Sequence, residues 1–298
     1  MQTNYFQCFD EDFIVHPYAH IMPLKIEDLH NCFFETMCAL DSFCREHNIK
    51  YQIIYGTLIG AVREKDFIPW DDDVDVIMDR DNYDKLCSLS EECPEGYRLV
   101  KPGEDNVFFD FTPRFVCTKI EIDRFDCDMS EDIPRYVFNP GIDLFVLEPS
   151  YVGLRHKLHW YRKMLLYGLA RGHRPFQKEI DGGQEIGAFL KFAGKLLGGI
   201  GKHMDLAKIV KRFDNISRKC HNKEGKVFNS NVDPKGILTL YDKKDYEDTI
   251  YLKIRGKDFP APAGYDNINT LVYGDYMSLP DKKYQKPEHY RVEYTPKD

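Results

Sequence analysis

The chain has 298 residues, of which 43% are hydrophobic and 30% are charged, and its formal net charge is -8. This composition supplies an ordinary buried core and excludes a disordered chain. The acidic charge argues against nucleic acid as a partner, because nucleic-acid binders carry a basic face, whereas a small anionic substrate remains compatible if a bound divalent cation supplies positive charge locally.

The cysteines and the N-terminal segment bear on the compartment. The nine cysteines include no CxxC pair, and no Cys/His spacing resembles a zinc site. The N-terminus shows no basic region followed by an apolar stretch, and no apolar run reaches about 18 residues. We therefore expect a cytoplasmic protein with free thiols and no transmembrane segment. Peripheral contact with the inner membrane face is compatible with these signals.

The first predicted elements lead to an acidic run. Residues 1–23 are expected to be irregular, and apolar residues at spacings of three and four predict a helix over 24–48. A short strand over 51–55 and a short helix over 57–64 follow. Directly after the acidic residues, alternating side chains predict a strand over 74–78.

The elements after the acidic run change from mixed to helical. Asp79 is a good N-cap residue for a helix that ends near residue 93. Strands are expected at 97–100, 107–111, 114–120 and 141–147. The charged stretch 121–135 is interpreted as a hairpin connection or an insertion. We expect one α/β (α+β) domain over 1–298, with a core at 24–150, a helical region at 151–225 and a C-terminal segment at 226–298 that packs on the core.

Asp73 and Asp75 are the strongest candidates for metal ligands. One residue separates them on a predicted strand, so both side chains point to the same face. Two carboxylates facing one point repel each other unless a cation compensates, and Mg²⁺ or Mn²⁺ prefers such oxygen ligands. The alternative is a solvated acidic turn, which the flanking apolar segments disfavour because they would bury the backbone.

An EF-hand is a further alternative for the acidic run. Asp71, Asp73 and Asp75 have the spacing of the first three ligand positions. The sixth position, however, is Val76 instead of glycine, and the twelfth is Asn82 instead of glutamate. The sequence therefore excludes an EF-hand.

Two further segments are candidates for the same site. Asp143 is a lone acid in an apolar strand, so it is either an edge residue facing water or a third ligand beside Asp73 and Asp75. Gly56 and Thr57 lie between a predicted strand and a predicted helix, where glycine allows close approach and the helix N-terminus offers amide groups to a phosphate. A plain turn is the alternative for this pair.

Longer motifs resemble a known family. The two longest read Tyr55-Gly56-Thr57-Leu58-Ile59-Gly60-Ala61-Val62-Arg63 and Phe67-Ile68-Pro69-Trp70-Asp71-Asp72-Asp73-Val74-Asp75. They closely resemble the signature of the LicD family, which is named for bacterial phosphocholine transferases and includes relatives of fukutin and fukutin-related protein. Shorter matches are Thr118-Lys119-Ile120, Gly141-Ile142-Asp143-Leu144-Phe145, Pro262-Ala263-Gly264-Tyr265 and Tyr273-Gly274-Asp275-Tyr276-Met277. Segments 121–137 and 175–202 match nothing in the family.

The resemblance implies a nucleotidyltransferase-like mixed sheet flanked by helices, with an additional helical region. It also implies transfer of phosphocholine or an alditol phosphate from a CDP-linked donor to a sugar hydroxyl of a cell-surface glycan, such as lipopolysaccharide or teichoic acid, or of its precursor. The donor and the glycan acceptor are then the partners.

The resemblance further implies residue roles. Asp73, Asp75 and Asp143 would be the catalytic carboxylates and would hold Mg²⁺ or Mn²⁺ on the donor diphosphate. Arg63 and Lys119 are candidates to contact the phosphates, with surface salt bridges as the alternative. The two aspartates before the ligands, Asp71 and Asp72, would support the site from behind or cap the turn. His289 and Tyr276 are interpreted as structural, with substrate contact as the alternative.

Two other functions stay open at this point. The same fold can transfer a nucleotide from an NTP and release pyrophosphate. It can also serve as a non-catalytic module that binds a glycan or nucleotide, which the retention of all three acidic residues disfavours.

Overall fold

A computed structural model shows the fold and describes residues 24–104, 107–123, 137–174, 188–220, 225–290 and 292–295. The predictions for residues 1–23, for 124–135 and for 175–187 lie outside these ranges.

The first part of the fold alternates strands and helices. Its elements are β1 (Leu24–Lys25), α1 (Ile26–Glu46), β2 (Gln52–Ile53), α2 (Tyr55–Arg63), β3 (Asp75–Asp79), α3 (Arg80–Ser88), β4 (Tyr97–Val100), β5 (Arg114–Cys117), β6 (Ile122–Asp123), β7 (Val137–Phe138) and β8 (Gly141–Pro149). The helices predicted over 24–48 and 57–64 and the strand predicted over 141–147 are confirmed. As predicted, Asp79 caps α3 by accepting a hydrogen bond from the backbone amide of Asn82 at 2.8 Å.

The second part is first helical and then mixed. Its elements are α4 (Gly153–Ala170), α5 (Ala188–Gly201), α6 (Leu206–Ser217), β9 (Lys226–Asn229), β10 (Tyr241–Asp242), α7 (Lys244–Glu247), β11 (Thr249–Ile254), β12 (Lys257–Pro262), α8 (Tyr265–Tyr273) and β13 (Val292–Glu293).

A seven-stranded mixed sheet forms the centre. Five strands follow the order β10-β9-β8-β3-β2, while β5 joins β8 and β4 joins β5. Strand β8 is the axis of this sheet, since it pairs in parallel with β3 and antiparallel with both β5 and β9. This architecture confirms the predicted mixed sheet flanked by helices, with an additional helical region.

Helix α1 covers the main core. Its buried stripe includes Leu29, Phe33, Met37 and Leu40, each at most 1% exposed. These side chains belong to the same apolar cluster as residues of the central strands, so the periodicity that predicts the helix also defines its packing face.

A second apolar cluster joins the helical region to the sheet. It contains Phe213 of α6 and Phe228 of β9, together with Phe108 and Phe111. The strand predicted over 107–111 is wrong, because these residues form no strand and their aromatic side chains pack under the helices instead. Within the described ranges, no helix combines the length and apolar character that crossing a bilayer requires.

Candidate active site

Three neighbouring strands place two carboxylates and one guanidinium in a row. Asp75 of β3 is the partner of Asp143 across the parallel pair, and Arg114 of β5 is the partner of the same Asp143 across the antiparallel pair. Residues paired across strands project from the same face of a sheet. The sheet register itself therefore brings Asp75 and Asp143 together, and it adds Arg114.

Arg114 is the counter-ion of this row. Its Nε donates to Asp143 Oδ1 at 2.6 Å, and its Nη2 donates to Asp110 Oδ2 at 2.7 Å. Burial acts to lower the pKa of Arg114, but the charges of Asp110 and Asp143 hold it well above its usual range. The guanidinium is thus a permanent positive charge at the edge of the site.

Asp75 is a buried carboxylate that receives no hydrogen bond from any residue in the described ranges. Burial raises its pKa well above the usual range, and the charges of Asp73 and Asp143 raise it further. The backbone amide of Asp75 donates to Thr57 Oγ1 at 2.9 Å. Thr57 is itself 1% exposed, so in this structure it positions Asp75.

Asp73 lies before β3, which begins at Asp75, so the prediction that both aspartates lie on the strand is wrong for Asp73. Its Oδ2 is 3.1 Å from His289 Nε2. Burial acts to raise the pKa of Asp73, but the hydrogen bond and the charge interaction with His289 bring it below its ordinary value. Asp73 is therefore held in the ionised form.

Asp72 ties the acidic run to the C-terminal segment. Its carboxylate accepts hydrogen bonds from the backbone amides of Glu288, His289 and Tyr290, at 3.1, 2.8 and 2.6 Å. A carboxylate that accepts several backbone amides fixes the path of the donor segment. This arrangement places His289 beside Asp73, and the supporting role of Asp72 in the site stays a prediction.

Asp71 packs against the start of α2. A Cβ atom placed on Gly56 would lie 2.4 Å from Asp71 Oδ2, so the absence of a side chain at Gly56 admits this carboxylate. The backbone carbonyl of Asp71 also accepts a hydrogen bond from the buried His30 side chain at 2.7 Å. Both contacts hold the acidic run in place.

A cavity of about 550 Å³ opens onto these groups. Asp73, Asp75 and Asp143 all line it, as do Arg114 and His289. Its wall is rich in aromatic side chains, namely Tyr55, Phe111, Phe145, Tyr167, Tyr241, Tyr273 and Tyr290. The three predicted catalytic carboxylates thus share one cavity large enough for a small organic phosphate.

The two predicted phosphate-binding cations lie elsewhere. Arg63 donates to Glu64 Oε1 at 2.6 Å and to the backbone carbonyl of Tyr276 at 3.2 Å. Lys119 Nζ lies 5.3 Å from the centre of the Tyr97 ring. Neither side chain lines the cavity as described, whereas Arg114 and Lys235 do.

The donor set fits a hard divalent cation in its chemistry. Asp73, Asp75 and Asp143 offer only carboxylate oxygens, and Asp75 is buried among like charges without a hydrogen-bond donor. Within the described ranges, however, no group of three or more His, Cys, Asp or Glu side chains is arranged to hold a metal ion as it stands. Asp143 is engaged by Arg114, and Asp73 is engaged by His289.

Sequence reasoning missed Arg114 and Asp110 entirely and interpreted His289 as structural. A local signal for Arg114 exists, since it begins a predicted strand next to an acidic one, but only the strand pairing identifies its partner. Tyr241 and Tyr273 reach the cavity from segments far along the chain. Tyr273 begins one of the motifs that resemble the family, whereas no local pattern marks Tyr241.

The chain is similar in sequence to a known family and to known proteins. Residues 48–121 match the family described as LicD/FKTN/FKRP, nucleotidyltransferase domain. A lipopolysaccharide cholinephosphotransferase, LicD, of Haemophilus influenzae is 29% identical over 262 residues, which cover 85% of this chain and 91% of that protein. An uncharacterized protein of Rickettsia typhi is 46% identical over 67 residues, 22% of each chain. Residues 48–121 therefore match the LicD/FKTN/FKRP nucleotidyltransferase domain family, and the chain is a distant homologue of LicD cholinephosphotransferase over most of its length.

Proposed function

We propose that this protein transfers a phospho-alcohol group, phosphocholine or an alditol phosphate, from a CDP-linked donor to a sugar hydroxyl of a cell-surface glycan or its precursor. The homology to a cholinephosphotransferase supports a transferase activity and makes phosphocholine the first group to test.

One structural observation supports the proposal most strongly. Asp75 and Asp143 are direct neighbours across β3 and β8, and they share a cavity with Asp73. Such a concentration of carboxylates is unfavourable without a cation and is useful in phosphate transfer, where a cation bridges enzyme and substrate. The cavity volume of about 550 Å³ is also suited to a small organic phosphate.

Asp73, Asp75 and Asp143 would hold Mg²⁺ or Mn²⁺, which would neutralise the diphosphate of the donor and the departing CMP. Arg114 is already in the cavity as a fixed positive charge, and a guanidinium is well suited to phosphate oxygens. We assign Arg114 the contact with the transferred phosphate that sequence reasoning gave to Arg63 and Lys119.

The reaction is a displacement at phosphorus. The acceptor hydroxyl oxygen forms a bond to the phosphorus that carries the alcohol, and the bond from that phosphorus to the bridging oxygen of CMP breaks. The hydroxyl proton passes to one of the cavity carboxylates. CMP leaves with the bonding electron pair, so the products are CMP and a glycan with a phosphodiester-linked alcohol.

The proposal is tested by CMP release. Purified protein is incubated with Mg²⁺, a lipopolysaccharide or teichoic acid acceptor, and CDP-choline, CDP-glycerol or CDP-ribitol in turn. We expect CMP release with one donor and incorporation of its alcohol into the acceptor. Isothermal titration of each donor with Mg²⁺ gives a readout that does not depend on the acceptor.

Two outcomes contradict the proposal. Pyrophosphate release from CTP or ATP, with no CMP from any CDP-alcohol, indicates nucleotidyl transfer. Glycan binding without donor binding or turnover indicates a non-catalytic module.

A further inference from the structure

Helix α4 carries an exposed apolar stripe. Leu154, Leu158, Tyr161 and Leu165 follow one another at spacings of four, three and four, which places them on one side of the helix. They are 50–72% exposed, Leu154 being the most exposed. A stripe with this spacing normally packs on a core, yet the core of this protein contacts the other side of α4, through His156, His159, Lys163 and Leu166.

Helix α5 carries a similar stripe beside it. Phe192, Leu196 and Ile200 are spaced by four residues and are 66%, 56% and 51% exposed. The two helices pack closely, since a Cβ atom on Gly168 of α4 would lie 2.7 Å from the Leu197 side chain of α5. We call these seven residues, Leu154, Leu158, Tyr161, Leu165, Phe192, Leu196 and Ile200, the apolar face.

The charges around the apolar face are of one sign. Arg155, Lys157 and Arg162 of α4 and Lys195 of α5 are exposed, and neither helix contains an aspartate or a glutamate. None of these four side chains forms an ion pair with another residue of the described ranges. This is unusual in a chain whose net charge is -8, because acidic residues outnumber basic residues by 49 to 41 overall.

We propose that the apolar face docks on an anionic lipid bilayer. Aliphatic and aromatic side chains flanked by lysine and arginine are the features with which helices lie in the interface of such a membrane, the apolar groups entering the acyl boundary and the cations meeting the headgroups. A second copy of the chain is a poorer occupant. A symmetric dimer through this face would bring both sets of basic side chains together.

The docked orientation has a consequence for the cavity. Tyr167 of α4 lines the cavity, and Leu165 of the apolar face lies on nearly the opposite side of the same helix. One helix diameter, about 10–12 Å, then separates the bilayer from the cavity wall.

The proposal is tested by vesicle flotation of the full-length protein. Vesicles of phosphatidylglycerol mixed with phosphatidylcholine are compared with vesicles of phosphatidylcholine alone, at low and at high salt. We expect flotation with the anionic vesicles at low salt, and a decrease at high salt because the charge component is screened. Absence of flotation with anionic vesicles, or equal flotation with both compositions, would overturn the proposal.

A charge variant locates the contact. Replacing Arg155, Lys157 and Arg162 by glutamine should lower vesicle partitioning by about 100-fold, since each basic residue near an anionic surface contributes roughly fivefold. The matched control replaces three exposed lysines elsewhere on the surface, at positions 243, 282 and 283, by glutamine and makes the same change in net charge. If both triple variants lose partitioning equally, net charge explains the binding and the assignment to this face is wrong.

An apolar variant completes the test. Leu158→Ser with Leu196→Ser should also reduce partitioning at least tenfold, because both substitutions remove apolar groups that would enter the acyl region. Leu279→Ser, at a 61% exposed site outside both helices, should not reduce it. Thermal unfolding of each variant checks that the fold is retained. A dimer detected by sedimentation velocity and abolished by the apolar variant, without any flotation, would assign the face to a second copy and overturn the proposal.

Discussion

The two ends of the β3–β8 strand pair differ in the partners of their buried carboxylates. At one end Asp75 and Asp143 are neighbours, and Asp75 has no hydrogen-bond donor in the described ranges. At the other end Arg80, directly after β3, donates to Glu148 Oε1 of β8 at 2.8 Å and lies 2.9 Å from Asp214 of α6. At the first end Asp75 lies beside another carboxylate without a donor of its own among the described residues, whereas at the second end arginine pairs with the carboxylates.

One end of this strand pair therefore contributes to stability, and the other contributes to function. Paired charges at the second end connect the sheet to α6 without a ligand. The Asp75 carboxylate at the first end lowers the stability of the folded chain and gains a role only when a cation or substrate arrives. The comparison therefore predicts that substitutions at the two ends change different quantities.

Removing the Asp75 carboxylate, at the end of the strand pair that lines the cavity, should have the largest effect on the rate of transfer. We expect Asp75→Asn to lower the rate of CMP release about 10³-fold, or about 4 kcal/mol of transition-state stabilisation, because a ligand for the cation is lost. The free energy of unfolding, measured in urea, should stay equal or rise, since the folded chain no longer has to raise the pKa of this buried carboxyl group. Asp258→Asn, at an exposed carboxylate on β12, is the matched control. Equal rates for Asp75→Asn and the unaltered protein would end the catalytic assignment.

A substitution at the other end of the strand pair, at Arg80, should lower the stability of the protein and leave its rate unchanged. Arg80→Met leaves the buried Glu148 carboxylate without its main partner and should lower the free energy of unfolding by about 3 kcal/mol. The rate per folded molecule should not change. Adding Glu148→Leu should restore most of the stability, and Arg98→Met, at an exposed position of β4, should have little effect. A loss of rate in Arg80→Met without a loss of stability would contradict the comparison.

Lys163, near the end of the strand pair where Arg80 binds Glu148, makes the free energy of unfolding depend on pH. Burial lowers the pKa of this side chain to about 7 from an ordinary 10.5. Between these values the unfolded chain binds more protons than the folded chain, so stability rises with pH in this window and is lost as the pH falls towards 7. Lys163→Met should remove about 2 kcal/mol of the increase between about pH 7 and pH 9. Urea unfolding at both pH values measures it, and an unchanged pH dependence would show that Lys163 is charged when folded.

The smallest expected effect tests whether Thr57 positions Asp75. Thr57→Val removes the acceptor of the Asp75 amide and should lower the free energy of unfolding by about 1–2 kcal/mol. Thr57→Ser keeps the hydroxyl and should behave like the unaltered protein. A weaker affinity for the CDP-alcohol in Thr57→Val, with unchanged stability, would instead favour the predicted contact with substrate.

Local spacing accounts for the part of the site that sequence reasoning could reach. The separation of Asp73 and Asp75 by one residue and the lone acid at Asp143 predict carboxylates on neighbouring strands, and the register of β3 and β8 brings them together. The stripe of α1 likewise predicts its buried face. Both the pair of aspartates and the helical stripe are patterns that fall within a few residues of the sequence.

The remaining features depend on pairings that no local pattern encodes. Arg114 reaches Asp143 because β5 pairs with β8, 29 residues apart in sequence. The prediction that Arg63 and Lys119 contact the phosphates rests on motif position alone. In the structure Arg63 donates to the carbonyl of Tyr276, and Lys119 lies over the Tyr97 ring. Their predicted contact with substrate stays a prediction.

The hydrogen bonds of Asp72 have a consequence for biosynthesis. Its amide donors at 288–290 follow it by 216 to 218 positions. A ribosome adding about 5–20 residues per second needs at least ten seconds to cover this separation. During that time the acidic run lacks His289 and the backbone that closes around it. The growing chain is therefore expected to fold its sheet before it can complete its cavity, so catalytic competence arrives late in synthesis.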